Sequence, residues 1–374
     1  MAGLYIHIPF CTDKCFYCDF YSGNQLYLLN DYVDAVAKEI RLRYNYLDNS
    51  PIESIFFGGG TPSLLSGNHF EMIFEAIRSS CVLDDNAEIT IECNPENISD
   101  SYVEDLFRVG INRISLGVQF LDDTVLSSFN RKHSKYLIYN ALDIIGNSKF
   151  DNLSVDLIYS VPGISDNSLA ESLMQLAKFN IRHISAYSLT ISKNSILFWK
   201  IAKGNVVECN EDCFLSQYRI IQDFCFENGF KQYEVSNYAK DGYMSKHNLA
   251  YWNQVLYLGI GVSAHSYNLV SRQWNHTNIK KYIRDLKVDI LDVNIEQLSD
   301  IELYNEYVIL KLRTYQGMSY SYVRSHFSKE IYEHFEVNIQ NLRRRGHFYL
   351  SEELVIPLQS DLLLADFLAK YLML

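Results

Sequence analysis

Six short apolar runs, LYIHI, SIFF, EITIE, RISLGV, LSVDLIY and HISAYSL, recur through the first half of the chain, separated by longer stretches. Rich in Ile, Val, Leu and aromatic residues, they read as buried strands. Between them, segments 31–44, 68–77, 100–109 and 168–179 place apolar residues at helical spacing. Strand and helix alternating in this way require right-handed βαβ crossovers and a parallel sheet. Six such units make a barrel or partial barrel, whose reactive groups gather at the C-terminal ends of the strands.

From about Glu296 the pattern turns helical, with 303–312, 320–326 and 329–345 amphipathic. After Gly346, HFYL and LVIPL read as a small hairpin and 361–374 as a last helix, together a winged-helix-like module. A length of 374 residues with 48% hydrophobic content suits two domains, or one large domain with an appendage. The net charge of -12 argues against a nucleic-acid surface, which needs clustered Lys and Arg, and Arg343, Arg344 and Arg345 read as a solvated helix end. No apolar stretch reaches the roughly 18–20 residues that span a bilayer, so any membrane contact is expected to be peripheral. No signal-peptide pattern precedes the first strand, and a cytoplasmic location is expected. The 28 tyrosines suggest no function.

Within HIPFCTDKCFYCDF, Cys11, Cys15 and Cys18 are spaced CxxxCxxC. A disulfide framework belongs to small chains in oxidising compartments, whereas this one has 374 residues and eight cysteines. Structural zinc normally takes four ligands, and the next cysteine, Cys81, lies far along the chain, though zinc stays open as an alternative. The favoured reading is an iron–sulfur cluster, because three protein thiolates on a four-iron cubane leave one iron open to another ligand.

Conspicuous polar residues follow the strands. Gly58, Gly59 and Gly60, then Thr61 and Pro62, come after SIFF, and a glycine run lets backbone approach a ligand closely, although a triplet alone is more often a turn. Glu92 ends EITIE and Gln119 follows RISLGV, where either could be an ordinary solvated strand end. Asp156 lies inside LSVDLIY, where a carboxylate needs a partner to offset its desolvation. Arg131, in FNRKHS, is the candidate cation for a carboxylate in the same mouth.

On these residues the chain resembles the radical S-adenosylmethionine (SAM) superfamily, and Tyr17, the aromatic before the third cysteine, fits it too. The lead-in LYIHIPF directly before Cys11 narrows the resemblance to the branch related to oxygen-independent coproporphyrinogen oxidase. It extends from Leu4 to about Tyr267 and implies an α/β fold, a partial (βα)6 barrel. It also implies a 4Fe-4S cluster on Cys11, Cys15 and Cys18, with SAM chelating the open iron. Implied SAM contacts are Tyr5, Gly58, Gly59, Thr61, Glu92 at the ribose hydroxyls, Gln119, Arg131 and Asp156. The expected organisation is a cluster and SAM barrel over 1–230, a family-specific segment over 231–295 and a winged-helix-like domain over 296–374.

KHNLAYW brings together His247, Asn248, Tyr251 and Trp252. From the residues alone this is a capped turn with core aromatics. Its HNxxYW pattern is similar to that of the haem-chaperone branch of the same group, and histidine ligates haem iron while aromatics pack on porphyrin faces. His247 is therefore the candidate haem ligand. The following YLGIGVSAHS reads as one more buried strand, with His265 structural near its end.

Two functions compete. One is an oxidase that decarboxylates coproporphyrinogen III to protoporphyrinogen IX by radical chemistry on SAM. The other is a chaperone that binds haem and passes it to apo-haemoproteins such as respiratory enzymes, and fold cannot choose between them. Oxidases of the family carry a fourth cysteine two residues after the third, where this chain has Phe20. Phe20 and HNxxYW together favour the chaperone, and no catalytic residue is assigned. The implied partners are haem or another tetrapyrrole, acceptor apo-haemoproteins, and an electron donor if SAM is cleaved. Two departures from the family pattern stand out: Ser192, Lys193, Asn194 and Ser195 replace Glu-Pro-Gly-Thr after the sixth strand, and Ser160 replaces the glycine of DLIYGLPG.

Overall fold

The computed structural model describes residues 1–345, 348–350, 353–357 and 359–374. The six apolar runs form β1 (Ala2–Ile8), β2 (Ile52–Gly59), β3 (Leu83–Cys93), β4 (Arg113–Gln119), β5 (Asn152–Tyr159) and β6 (His183–Ser188). They lie side by side in sequence order, each parallel to the next. Their inner residues are buried on both faces, as parallel strands covered by helices must be. The covering helices include Leu29–Leu42, Gly67–Ser80, Asp100–Arg108, Lys135–Gly146 and Asp166–Leu176. Ser99, Ser134 and Ser165 cap three of them, each accepting a backbone N–H three residues on.

The sheet extends past both ends of this repeat. Beyond β6 lie β8 (Asn237–Ala239) and then β7 (Lys231–Gln232), both antiparallel. Beyond β1 come β9 (Tyr257–Ile260), β10 (His265–Tyr267), β11 (Ser271–Asn275) and β12 (Val293–Gln297), giving twelve strands in one open sheet. YLGIGVSAHS is therefore two antiparallel strands, β9 and β10, rather than one. The turn between them holds Gly261 at φ 100° and Ser263 at φ 64°, left-handed backbone that interrupts an extended run and reverses the chain.

The C-terminal residues build a second core. Tyr304, Val308, Phe335, Ile339 and Leu368 come together from helices Asp300–Leu312, Lys329–Arg343 and Ala365–Leu372. A small antiparallel sheet of Met318–Ser319, Leu354–Pro357 and Phe348–Leu350 completes it, the expected hairpin being its last two strands; Gly346 and His347 lie outside the described residues. Backbone bonds from Val235 N to Arg313 O (3.0 Å) and Tyr315 N to Tyr233 O (3.2 Å) fasten this core to the barrel. Among the described residues no helix is long and apolar enough to cross a membrane.

Candidate cluster and cofactor site

The chain leaves β1 through Pro9 and Phe10 directly into the cysteine loop. Cys11 N donates to Gly23 O (3.0 Å) and Gly23 N to Pro9 O (2.9 Å), closing the loop at its base. Phe16 N donates to Phe129 O (3.1 Å), Asn130 Nδ2 to Lys14 O (3.0 Å) and Leu197 N to Phe16 O (2.8 Å), so the loop is tied to the segments after β4 and β6. Lys200 stands over the Phe16 ring at 3.9 Å from its centroid. The departure after β6 takes part in this anchoring: Ser192 Oγ donates to Asp19 (2.7 Å), and Ser195 caps helix Ile196–Ala202.

The three thiols are half-buried; burial, and to a lesser extent the nearby Cys15 and Cys11, raise the Cys18 pKa, and among the described residues no three such side chains stand gathered around one metal position as placed. Thr61 Oγ1 donates to Cys11 Sγ and Arg131 Nη1 to Cys15 Sγ, both at 3.5 Å. Donors trained on sulfur suit thiolates that ligate metal. Arg131 Nε is buried without a partner among the described residues. In chemistry, three thiols with two side-chain donors on their sulfurs, the residues fit a thiolate-held iron–sulfur cluster.

Above the loop, the strand ends bring the other sequence candidates together. Gly59 sits at φ 111°, and a Cβ there would lie 2.5 Å from the His7 ring; its N–H donates to Glu92 Oε2 (3.1 Å). At Gly58 a Cβ would meet Phe56 at 2.9 Å and Tyr5 at 3.0 Å. Among the described residues His7 Nε2 has only the Tyr21 carbonyl as partner (3.0 Å) and so donates to it, which leaves Nδ1 to accept from Tyr5 Oη (3.0 Å). Tyr5 is thereby fixed beside Glu92 and linked to the cysteine loop. Gln119 ends β4 at φ 64°, a conformation bulky residues adopt only where surroundings impose it. Asp156 finds its partner on the neighbouring strand, accepting from Ser115 Oγ (2.9 Å). Arg131 reaches the cysteine loop rather than pairing directly with Asp156.

Electrostatically the mouth is a half-buried acid pair. Desolvation, then the nearby Asp156, push the Glu92 pKa up to about 8. Desolvation likewise raises Asp156, against the hydrogen bonds from Ser115 and Ser185 and the charges of Arg113 and Arg131. A ligand that brings hydroxyls and positive charge to this pair relieves both costs.

HNxxYW forms the short helix Lys246–Trp252, capped by Ser245. His247 lies in the core, 2% exposed, with Nδ1 bonded to Ser54 Oγ (2.9 Å) and Nε2 to Tyr251 Oη (3.0 Å). Its ring stacks on Phe56, and burial, then Arg113, lowers its pKa to about 3. As placed, neither ring nitrogen is free to bind a metal. His265 is exposed and stacks on Trp274. Asn248, Tyr251 and Trp252 instead line a cleft of about 670 Å³ between the end of β6, at Tyr187 and Ser188, and the C-terminal helices at Leu310, Arg313 and Leu362.

Sequence reasoning missed Asn94, whose amide links the two sulfur donors: Nδ2 donates to Thr61 Oγ1 and Oδ1 accepts from Arg131 Nη1, both at 3.4 Å. Its place directly after β3, ahead of Pro95, was the available signal.

The parallel sheet with a three-cysteine loop after its first strand defines a radical SAM protein, and residues 5–176 match the model of the Radical SAM superfamily. That class implies a 4Fe-4S cluster and SAM. The chain is 33% identical over 321 residues to heme chaperone HemW of Mycobacterium tuberculosis, covering 84% of this chain and 82% of that one. With HemW of Bacillus subtilis it shares 29% identity over 367 residues, covering 95% and 94%. It belongs to the HemW family. The coproporphyrinogen III oxidase HemN of Escherichia coli superposes with a TM-score of 0.85 over 99% of this chain and 89% of that one, at 22% identity, a likeness of fold.

Proposed function

We propose that the chain is a haem chaperone: it holds a 4Fe-4S cluster on Cys11, Cys15 and Cys18, binds SAM among Tyr5, Gly58, Gly59, Thr61, Glu92, Gln119, Arg131 and Asp156, and passes haem to apo-haemoproteins. The relatives named heme chaperone HemW support this reading. The observation that carries it is the cleft beside the HNxxYW helix. At about 670 Å³ it falls within the roughly 300–1,000 Å³ of small-molecule sites. Trp252, Tyr251, Leu310 and Leu362 offer apolar wall to a macrocycle, and Arg313, paired at the rim with Asp366 (2.6 Å), offers a guanidinium to its carboxylates.

In this reading His247 holds the cleft wall in place by fixing Tyr251 and the barrel floor at Ser54. When bound, the cluster and SAM supply one-electron chemistry. Around them Glu92 and Asp156 receive the hydroxyls and charge of SAM, and Tyr5 closes the wall. Phe20, 68% exposed, stands where family oxidases have a cysteine, which favours the chaperone over the oxidase.

The test is a haem titration followed by absorbance. Trp252→Ala and Arg313→Ala are each expected to weaken binding by about tenfold, some 1.4 kcal/mol, with iron and sulfide content unchanged. Unaltered affinity in both would remove haem from the cleft, and steady conversion of coproporphyrinogen III by the reconstituted protein would move the reading to the oxidase.

A further inference from the structure

Two of the three cysteine sulfurs receive side-chain donors, and one residue joins those donors. Thr61 Oγ1 donates to Cys11 Sγ and Arg131 Nη1 to Cys15 Sγ. Asn94 stands between them, its Nδ2 on Thr61 and its Oδ1 on Arg131. Because Asn94 supplies the proton that the Thr61 oxygen accepts, the threonine hydrogen is left to point at Cys11. Because its carbonyl oxygen accepts from Nη1, while Gly117 O accepts from Nη2 (3.4 Å), the guanidinium plane is held facing Cys15. Asn94 is itself fixed: it follows β3, its N–H donates to Ser63 Oγ (3.2 Å), and its carbonyl accepts from Asn97 N (3.0 Å).

Hydrogen bonds to cluster sulfurs stabilise the reduced, more negative cluster and raise its potential. We infer that Asn94 is a positioning residue for the cluster: by orienting Thr61 and Arg131 on the thiolates of Cys11 and Cys15, it sets the reduction potential of the 4Fe-4S centre before any SAM is bound. This rests on the cluster assignment made above. Arg131 thereby acquires a task separate from any contact with SAM, and the Cys18 sulfur, with no side-chain donor of this chain of bonds, stands outside the bridge.

The test is an EPR-monitored redox titration of the anaerobically reconstituted protein without SAM, comparing the parent with Asn94→Ala, Thr61→Val and the double variant. The expected result is a more negative potential in each single variant by about 59 mV, equivalent to a tenfold loss in the reduced-to-oxidised ratio. The double variant should move little further than Asn94→Ala, since without Asn94 the Thr61 hydroxyl is no longer held on Cys11 and its removal adds little. Potentials equal to the parent's in both single variants, at equal iron and sulfide content, overturn the inference, as does a double variant whose shift is the full sum of the two. Should Asn94→Ala lose its cluster, Asn94→Gln, which keeps the amide but displaces it by a methylene, decides by the same shift, a parent-like potential overturning the inference. A parent that takes up no iron and sulfide would instead overturn the cluster assignment.

Discussion

Ser160 occupies left-handed backbone at φ 59° in the turn after β5, with its N–H held by Gln217 Oε1 at 2.7 Å. A Cβ in that conformation costs roughly 1–2 kcal/mol, which glycine avoids at some expense in unfolded-chain entropy. Ser160→Gly should therefore raise the denaturation midpoint, by a net of about 0.5–1 kcal/mol in a urea titration. Glu92 gives a pH dependence. Its folded-state pKa of about 8 lies above the ordinary 4.5, so between those values the folded protein binds more protons than the unfolded chain. Stability of the SAM-free protein then falls as pH rises through that window. Glu92→Gln should flatten the decline, read as thermal midpoints from about pH 5 to pH 8, while weakening SAM binding. These residues differ in how openly the sequence declares them. Asp156 could be singled out because a carboxylate inside so apolar a strand needs a partner, and Ser115 supplies one. His247 stood out for its motif, yet its role turns on Ser54, 193 positions away, a distance that no local pattern spans.

Among the elements, the glycine loop after β2 carries the sharpest steric demand. A Cβ on Gly60 would lie 2.6 Å from Phe10 O and 2.9 Å from Ile8 O, both backbone atoms immediately ahead of Cys11. Gly60→Ala should displace the start of the cysteine loop and lower iron and sulfide incorporation, while circular dichroism shows the helices retained. The six parallel strands were legible because burial on both faces writes them as continuous apolar runs. β7, β11 and β12 were not, being short and largely polar, nor was β8 with only three residues, and their pairing depends on the edges the barrel leaves open. The break between β9 and β10 was hidden for another reason: Gly261 and Ser263 sit in an apolar run, and only the left-handed turn distinguishes them from strand.

At the scale of the whole molecule, the cleft and the cysteine loop have separate walls. The cleft is lined from β6, the HNxxYW helix and the C-terminal core, and none of Cys11, Cys15 and Cys18 contributes to it. Cys15→Ser should abolish cluster assembly yet leave haem affinity within about twofold of the parent, as sites that share no lining residue act nearly independently. Haem titration of that variant, beside an iron and sulfide assay, checks the separation.

β1 is paired on one edge with β2 and on the other with β9, through Gly3 to Ile6 against Tyr257 to Ile260. Its first neighbour leaves the ribosome within some tens of residues, its second only after most of the barrel has been translated. Synthesis at roughly 5–20 residues per second makes that interval tens of seconds. Throughout it the strand that leads into the loop of Cys11, Cys15 and Cys18 is held along one edge alone. The cysteine loop thus leaves a strand whose second edge is closed only once Tyr257 to Ile260 have been made, so its base is the last part of the sheet around β1 to be completed.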